Sequence, residues 1–352
     1  MPQLRIAQPG QLRHVDHRRP LSVSAMVGLL SVLLALLVLV ALCVGRYLLA
    51  PAEVLQTLIA AVSGGVPPDA ASFNVVINLR LPRICAAILI GAALTLAGAS
   101  YQSIFRNPLA APDLLGVTHG ACVGASIAIV LGLGTIWVQS LAFVAGFGAL
   151  ALVAWIPRLI RRSSSVTLVL AGIIVGGLMQ AIIGLLKYVA DPETQLADIV
   201  FWQLGSLARV TAASVTAMAP LIVVPAVVLL ALRWRLNLLT LDDAESAALG
   251  VNIRVERGLV VVCATLLTAA SVSLSGSIGW IGLVMPHTAR MLAGSDNARS
   301  LPAAALLGGI FLLVIDTLAR TLSPGEIPLG ILTGLIGTPV FVLILARRGA
   351  DS

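Results

Sequence analysis

The stretch SVSAMVGLLSVLLALLVLVALCVG, residues 22–45, carries no charged side chain in any of its 24 positions. A helix rises 1.5 Å per residue, so about 20 apolar residues cross the ~30 Å hydrocarbon core of a bilayer. Comparable apolar segments follow at 84–104, 114–134, 136–156, 166–189, 213–232, 258–276, 278–293, 301–322 and 327–346. The pattern predicts an all-α polytopic membrane protein of about ten transmembrane helices. Segment 278–293 is the shortest and is punctuated by Gly279, Gly282 and Pro286. Residues 1–20 are polar, with Arg5, Arg13, Arg18 and Arg19. A signal peptide has a shorter apolar region and a small-residue cleavage site, so the first run reads as a retained span.

Composition agrees with that reading. Of 352 residues, 59% are hydrophobic and 11% charged, with a mean hydropathy of +1.04, whereas soluble domains carry roughly 25% charged residues. A soluble enzyme, a secreted disulfide scaffold and a disordered chain are all excluded. The formal net charge is +7, yet Lys187 is the sole lysine and no basic stripe with interleaved aromatics appears. Nucleic-acid binding is therefore not expected. Cys43, Cys85, Cys122 and Cys263 are solitary within apolar runs, which fits neither a zinc site nor a disulfide framework.

The arginines set the orientation. With the N-terminus inside and ten spans, 16 of the 22 basic residues fall on the cytosolic side. The outer side receives Arg46, Arg80, Arg83, Lys187, Arg209 and Arg320. That bias follows the positive-inside rule and puts both termini in the cytosol, with residues 50–80 and 190–212 outside. The expected division is a basic tail over 1–21, a permease domain over 22–346 and a short tail over 347–352. A weak internal repeat divides the permease domain. Asn78-Leu-Arg80-Leu-Pro-Arg83 precedes the second span and Asn252-Ile-Arg254-Val-Glu-Arg257 the seventh, a shift of 174 residues that also aligns Pro112 with Pro286. An odd number of intervening spans makes the halves, 22–210 and 211–346, inverted in the membrane, a common construction of alternating-access transporters.

Chemistry-bearing groups are few. There is no Walker A pattern, so this chain is not expected to bind ATP through a P-loop. Asp316 is the clearest ionisable residue within a span, and Arg320 one turn later is its expected partner. One self-paired carboxylate makes no proton relay. His287 reads as structural, bonding backbone freed near Pro286. Two Gly/Pro-rich breaks, Arg106–Val117 and Ser275–His287, read as tight packing of short helices. The cytosolic stretch 233–257 differs. Thr240, Asp242 or Asp243 can cap a short helix, Glu245 lies in its first turns and Gly250 suits its C-terminal end. Leu241, Ala244, Ala248 and Val251 form a narrow apolar edge. A docking helix is expected within 236–256.

These residues together resemble the FecCD family, the permease subunits of binding-protein-dependent ABC importers for iron-siderophores, haem and cobalamin. The resemblance rests on Arg80-Leu-Pro-Arg83, the run from Arg106-Asn107-Pro108-Leu109-Ala110 to Leu115-Gly116, and Phe201-Trp202-Gln203-Leu204-Gly205-Ser206. It continues through Leu249-Gly250-Val251, Gly276-Ser-Ile-Gly279-Trp280-Ile-Gly282-Leu-Val-Met-Pro286-His287 with Arg290, and Pro328-Leu329-Gly330. Trp280 stands where phenylalanine is usual, and Ala111 where the family is often acidic.

The resemblance implies a type II importer permease that forms a homodimer with its path along the dimer axis. It implies two separate ATPase subunits, which bind the ATP and Mg, on the cytosolic face and a periplasmic or lipid-anchored binding protein outside. No cofactor is expected in this chain. Arg80, Arg83 and Arg320 would dock the binding protein; Asp242, Asp243, Glu245, Ala248, Leu249, Gly250 and Val251 would couple to the ATPase. Residues 201–212 would be a short outer helix at the gate, with Trp202, Gly205 and Ser206 in the gate region. The structural motif would comprise Asn107, Pro108, Gly116, Gly276, Gly279, Gly282, Pro286, His287 and Arg290. An ion-coupled carrier on the same inverted repeat is the alternative. An intramembrane enzyme would need a catalytic constellation that is not found. The family moves large metal chelates, and some members move oxyanions such as molybdate, so the cargo is not legible.

Overall fold

A computed structural model describes residues 22–67, 69–160, 165–241, 245 and 252–350. The tail 1–21 lies outside the described residues, as do Asp242, Asp243, Ala248, Leu249, Gly250 and Val251 of the expected docking helix. The described residues are predominantly helical, without strands. The elements are α1 (Val23–Cys43), α2 (Pro51–Ser63), α3 (Leu81–Ile104), α4 (Val117–Val130), α5 (Thr135–Ile160) and α6 (Ser165–Val189). They continue with α7 (Gln195–Gln203), α8 (Ala212–Ala231), α9 (Ile253–Ser275), α10 (Ile281–Ala293), α11 (Asn297–Leu322) and α12 (Leu329–Ala350).

A helix stands at each of the ten expected spans. Among the described residues, seven helices are long and apolar enough to cross a membrane unaided. The other three places are filled by α4, α10 and α12, with α10 only 13 residues long. Four boundaries depart from expectation. The second span reaches back past Pro82, because a π-helical segment, Asn74–Arg80, joins α3 to the turn before it. There the Leu81 N–H bonds the Val76 carbonyl, the i→i+5 spacing of a π-helix. An unforeseen outer helix, α2, begins with Pro51 at its first position and ends at Gly64, φ +69°. The short helix expected over 201–212 lies over 195–203 as α7, since Gly205 at φ +75° turns the chain out of the helix. Pro112 opens a short 3₁₀ turn, Pro112–Leu115, whereas Pro286 lies inside α10. The 174-residue shift therefore aligns α3 with α9 but not the breaks that follow them.

The core is α3 and α9, one from each half. About three quarters of each is buried, 78% and 72% of the most apolar window respectively. They pack against one another; α11 and α10 lie along α3, while α8 and α5 lie along α9. Small residues allow the close approach. A Cβ on Gly91 would stand 2.2 Å from the Gly308 carbonyl oxygen of α11. One on Gly98 would stand 1.8 Å from that of Gly282 on α10. In lipid, helix association relies on such packing rather than on hydrophobic driving force. Buried hydroxyls find local acceptors: Thr95, Ser100 and Ser103 donate to carbonyls four residues back, and Tyr101 Oη lies 2.8 Å from Thr265 Oγ1 across the α3–α9 seam.

Candidate functional site

Three motif segments distant in sequence meet at one end of the core. Ser206 N–H donates to the Ser275 carbonyl at 2.7 Å, Leu329 N–H to the Gly205 carbonyl at 2.8 Å, and Gly330 N–H to the Leu204 carbonyl at 2.9 Å. The backbones approach so closely that no side chain fits. A Cβ on Gly276, itself at φ +71°, would lie 2.1 Å from the Trp202 oxygen, and one on Gly205 would lie 2.5 Å from the Ser277 oxygen. Trp202, Gly205 and Ser206 thus belong to one hydrogen-bonded node with Gly276 and Gly330. Beside it, Gln139, Trp202, Ser206, Arg209, Ser273 and Ser275 line a cavity of about 60 Å³. The glycines of the motif are not equivalent. Gly282 is pressed against Pro112, 2.6 Å from an added Cβ, whereas Gly279 has nothing within 4 Å.

Backbone strain marks the same breaks. Trp280 begins α10 at φ +69°, and Arg106 and Glu326 have φ +50° and +52°. Left-handed backbone costs an ordinary L-residue about 1–2 kcal/mol, and such strain concentrates where surrounding structure fixes a functional shape. The Trp280 ring meets Phe341 edge-on at 6.5 Å between centroids, and its Cβ comes within 2.9 Å of where a Cβ on Gly337 would be. His287 is buried, with its ring edge-to-face against Phe341 at 6.3 Å. It is a core residue.

The three outer arginines converge, but not as free surface charges. Arg83 Nε binds both oxygens of Asp316, at 2.8 and 3.1 Å, and its Nη1 binds both of Glu326, at 3.1 and 3.0 Å. Arg320 stands 3.9 Å from Asp316 and donates to the Ala41 carbonyl at 2.6 Å. The main partner of Asp316 is therefore Arg83, 233 residues away, and not Arg320 on its own helix; one guanidinium bridges two carboxylates, with Nε on Asp316 and Nη1 on Glu326. Arg80 is buried and donates to the carbonyls of Leu42 and Tyr47, so it closes the end of α1. Burial of an unpaired guanidinium is costly, and these internal acceptors satisfy it. With Arg46 and Glu326, the three line an open cavity of about 260 Å³. Glu326 was not foreseen; its signal is an acidic residue in the turn Pro324-Gly325-Glu326-Ile327-Pro328.

At the other end of the core, polar contacts hold both ends of 236–256. Arg235 bonds Glu256 at 2.6 Å, Asn237 bonds Asp296 at 2.6 Å, and Asn297 N–H donates to Asn237 at 2.8 Å. Arg106, at the first break, donates to the Leu241 carbonyl. Asn107 folds an Asx turn by accepting from Leu109 N–H at 2.9 Å, Pro108 is exposed, and Gly116 ends the 3₁₀ turn at φ +68°. Arg290 of α10 donates to Gln102 of α3, and Gln102 reaches the Leu283 carbonyl at 3.4 Å. The first break is thus tied to the start of the 236–256 segment through Arg106, and the second is tied to α3 through Gln102. Of that segment's expected coupling residues, Glu245 alone is described, and it is helical.

Comparison with known proteins follows from this geometry. Residues 33–347 match the FecCD transport family. The chain is 40% identical over 318 residues to the molybdate import system permease protein MolB of Haemophilus influenzae, covering 90% of this chain and 94% of that one. It is 39% identical to the hemin transport system permease protein HmuU of Yersinia pestis, covering 79% and 85%. Among solved structures, an inward-facing conformation of a metal-chelate type ABC transporter superimposes with a TM-score of 0.83 at 38% identity, over 92% of this chain and 99% of that one.

Proposed function

Because this chain belongs to the FecCD transport family over residues 33–347, we propose that it is the membrane permease of an ATP-driven importer of a metal chelate. Its cargo would be a ferric-siderophore, haem or corrinoid. Two copies form the path, two separate ATPase subunits bind the cytosolic face and supply ATP hydrolysis, and a binding protein delivers cargo from outside. The protein sits in the cytoplasmic membrane of a bacterium with both termini inside. The observation that carries this reading is the node where Ser206 N–H is hydrogen-bonded to Ser275 of the break while Leu329 and Gly330 are hydrogen-bonded to Gly205 and Leu204. It joins the expected gate helix directly to the core helix α9, so a movement of the core moves the gate.

The arginine cavity supports docking of the binding protein. Arg46, Arg80, Arg83 and Arg320 face two carboxylates, Asp316 and Glu326, leaving a formal excess of two positive charges at the outer mouth. An acidic partner surface would be drawn to that excess, and such charges set register and association rate. The anchored segment 236–256 supports ATPase coupling, with Asp242, Asp243, Glu245, Ala248, Leu249, Gly250 and Val251 as the contact. Asp316, buried and held by Arg83, is not free to shuttle a proton, which disfavours an ion-coupled carrier that relays through that span. An oxyanion cargo is the second reading, favoured by the likeness to a molybdate permease. Purification from native membranes tests the assembly. The permease should copurify as a dimer with ATPase subunits, and Arg80→Glu/Arg83→Glu should weaken binding-protein association. Retained uptake by the chain purified alone would overturn the proposal.

A further inference from the structure

The middle of α6 borders an open, mostly apolar cavity that neither the node nor the arginine cluster uses, and three polar side chains stand in its wall. Its volume is about 310 Å³, and Asp113, Leu114, His119, Ile173, Gly177 and Gln180 contribute to its wall. The cavity exists because α6 meets the first break through glycine. A Cβ on Gly172 would lie 1.9 Å from the Leu114 oxygen, and one on Gly176 would lie 3.7 Å from His119 Nδ1. Gly172 to Gln180 occupy the central turns of a 25-residue span. Gln180 and Asp113 are exposed on this wall. His119 is half-buried, and its Nδ1 is enclosed without a hydrogen-bond partner. Thr118 Oγ1 donates to Asp113, so the carboxylate is braced while it faces outward.

A carboxylate, an imidazole and an amide presented together at mid-span would be strongly unfavourable against lipid. Polar groups at that depth are tolerated where they line water or a passing solute. We propose that Asp113, His119 and Gln180 form a water-filled contact site on the translocation path, selecting neutral or cationic, donor-rich cargo over bare oxyanions. This rests on the transport reading above. The carboxylate accepts hydrogen bonds from hydroxyl, amide or ammonium groups at the periphery of a chelate, and it repels a dianion such as molybdate. The site therefore favours the chelate reading over the oxyanion one, even though the likeness to a molybdate permease points the other way.

The test needs no knowledge of the cargo. In the assembled importer, with Cys43, Cys85, Cys122 and Cys263 replaced by alanine, Gln180→Cys is exposed to two impermeant thiol reagents. One is the cationic trimethylammonioethyl methanethiosulfonate, the other its anionic sulfonatoethyl counterpart. The thiol should react with both, and the cation-to-anion rate ratio should exceed that of a free thiol by about fivefold or more, the order expected for a unit charge sharing a partly aqueous site with the thiol. Asp113→Asn, which retains an acceptor for Thr118, should bring the ratio back toward the free-thiol value. A thiol unreactive to both reagents would mean a face sealed by lipid or by the second copy, and would overturn the proposal. So would a ratio that Asp113→Asn leaves unchanged. ATP hydrolysis stimulated by the binding protein is read on the same vesicles. Its absence counts against the transport reading, whereas its presence with failed thiol arms counts against the site alone.

Discussion

Asp316→Ala is the perturbation whose cost the geometry defines best. The carboxylate is fully buried and receives Arg83 Nε on both oxygens, at 2.8 and 3.1 Å, with Arg320 at 3.9 Å. Removing one partner of a buried pair typically costs about 3–5 kcal/mol, chiefly because the other charge is left buried and uncompensated. Two features place this case at the low end. Arg83 keeps Glu326 at 3.0 Å, and Arg320 keeps the Ala41 carbonyl at 2.6 Å. The expected loss is about 3 kcal/mol, or roughly a hundredfold in the folding equilibrium. Denaturation of the purified permease in mixed micelles, followed by circular dichroism, measures it. The double variant Asp316→Leu/Arg83→Met should recover about half the loss, since Arg320 still lacks its counter-charge. A single variant within about 0.5 kcal/mol of wild type, the range of surface substitutions, would overturn this account of the cluster. So would a double variant no more stable than the single one.

Three further outcomes follow from the packing. Gly98→Val should abolish stable accumulation in the membrane, because its Cβ would meet the Gly282 backbone at 1.8 Å, whereas Gly279→Ala, with nothing within 4 Å, should accumulate as wild type; immunoblots of membrane fractions compare them. Tyr101→Phe should cost about 1 kcal/mol by removing the partner of Thr265 Oγ1 across the core seam, read by the same micelle denaturation. Gly250→Val should leave membrane insertion intact and uncouple ATP hydrolysis from uptake in reconstituted vesicles, and normal uptake by that variant would remove 236–256 from the coupling contact.

The spans were legible because a bilayer imposes a length and an apolarity that a run such as 22–45 states directly. The partners of the buried charges were not. Arg320 follows Asp316 by one turn and is the partner a local reading chooses, yet Arg83 holds Asp316 from the far half of the chain. No periodicity encodes a contact 233 residues apart. The glycines show the same limit. Gly276, Gly279 and Gly282 share one spacing, but two are crowded by neighbouring backbone or proline and the third lies open. That distinction belongs to helix packing and is invisible along the chain. The outer helix α2 escaped notice because one face of it is polar enough to interrupt the apolar signal, although Pro51 and Gly64 bracket it with ordinary helix-end chemistry. The short helix expected over 201–212 lies over 195–203, since the left-handed turn at Gly205 follows the helix instead of lying within it.

The central claim is that ATP hydrolysed by separate subunits drives cargo through this chain, and the energy source is the quantity to measure. The permease, its ATPase subunits and its binding protein are reconstituted into sealed vesicles with a regenerating ATP supply on the ATPase side, and uptake of ⁵⁵Fe-labelled ferric hydroxamate chelate is followed with and without a protonophore. Uptake that needs ATP, stops with a non-hydrolysable analogue and persists when the proton gradient is collapsed is the expected result. Uptake that continues without ATP and collapses with the gradient would contradict it.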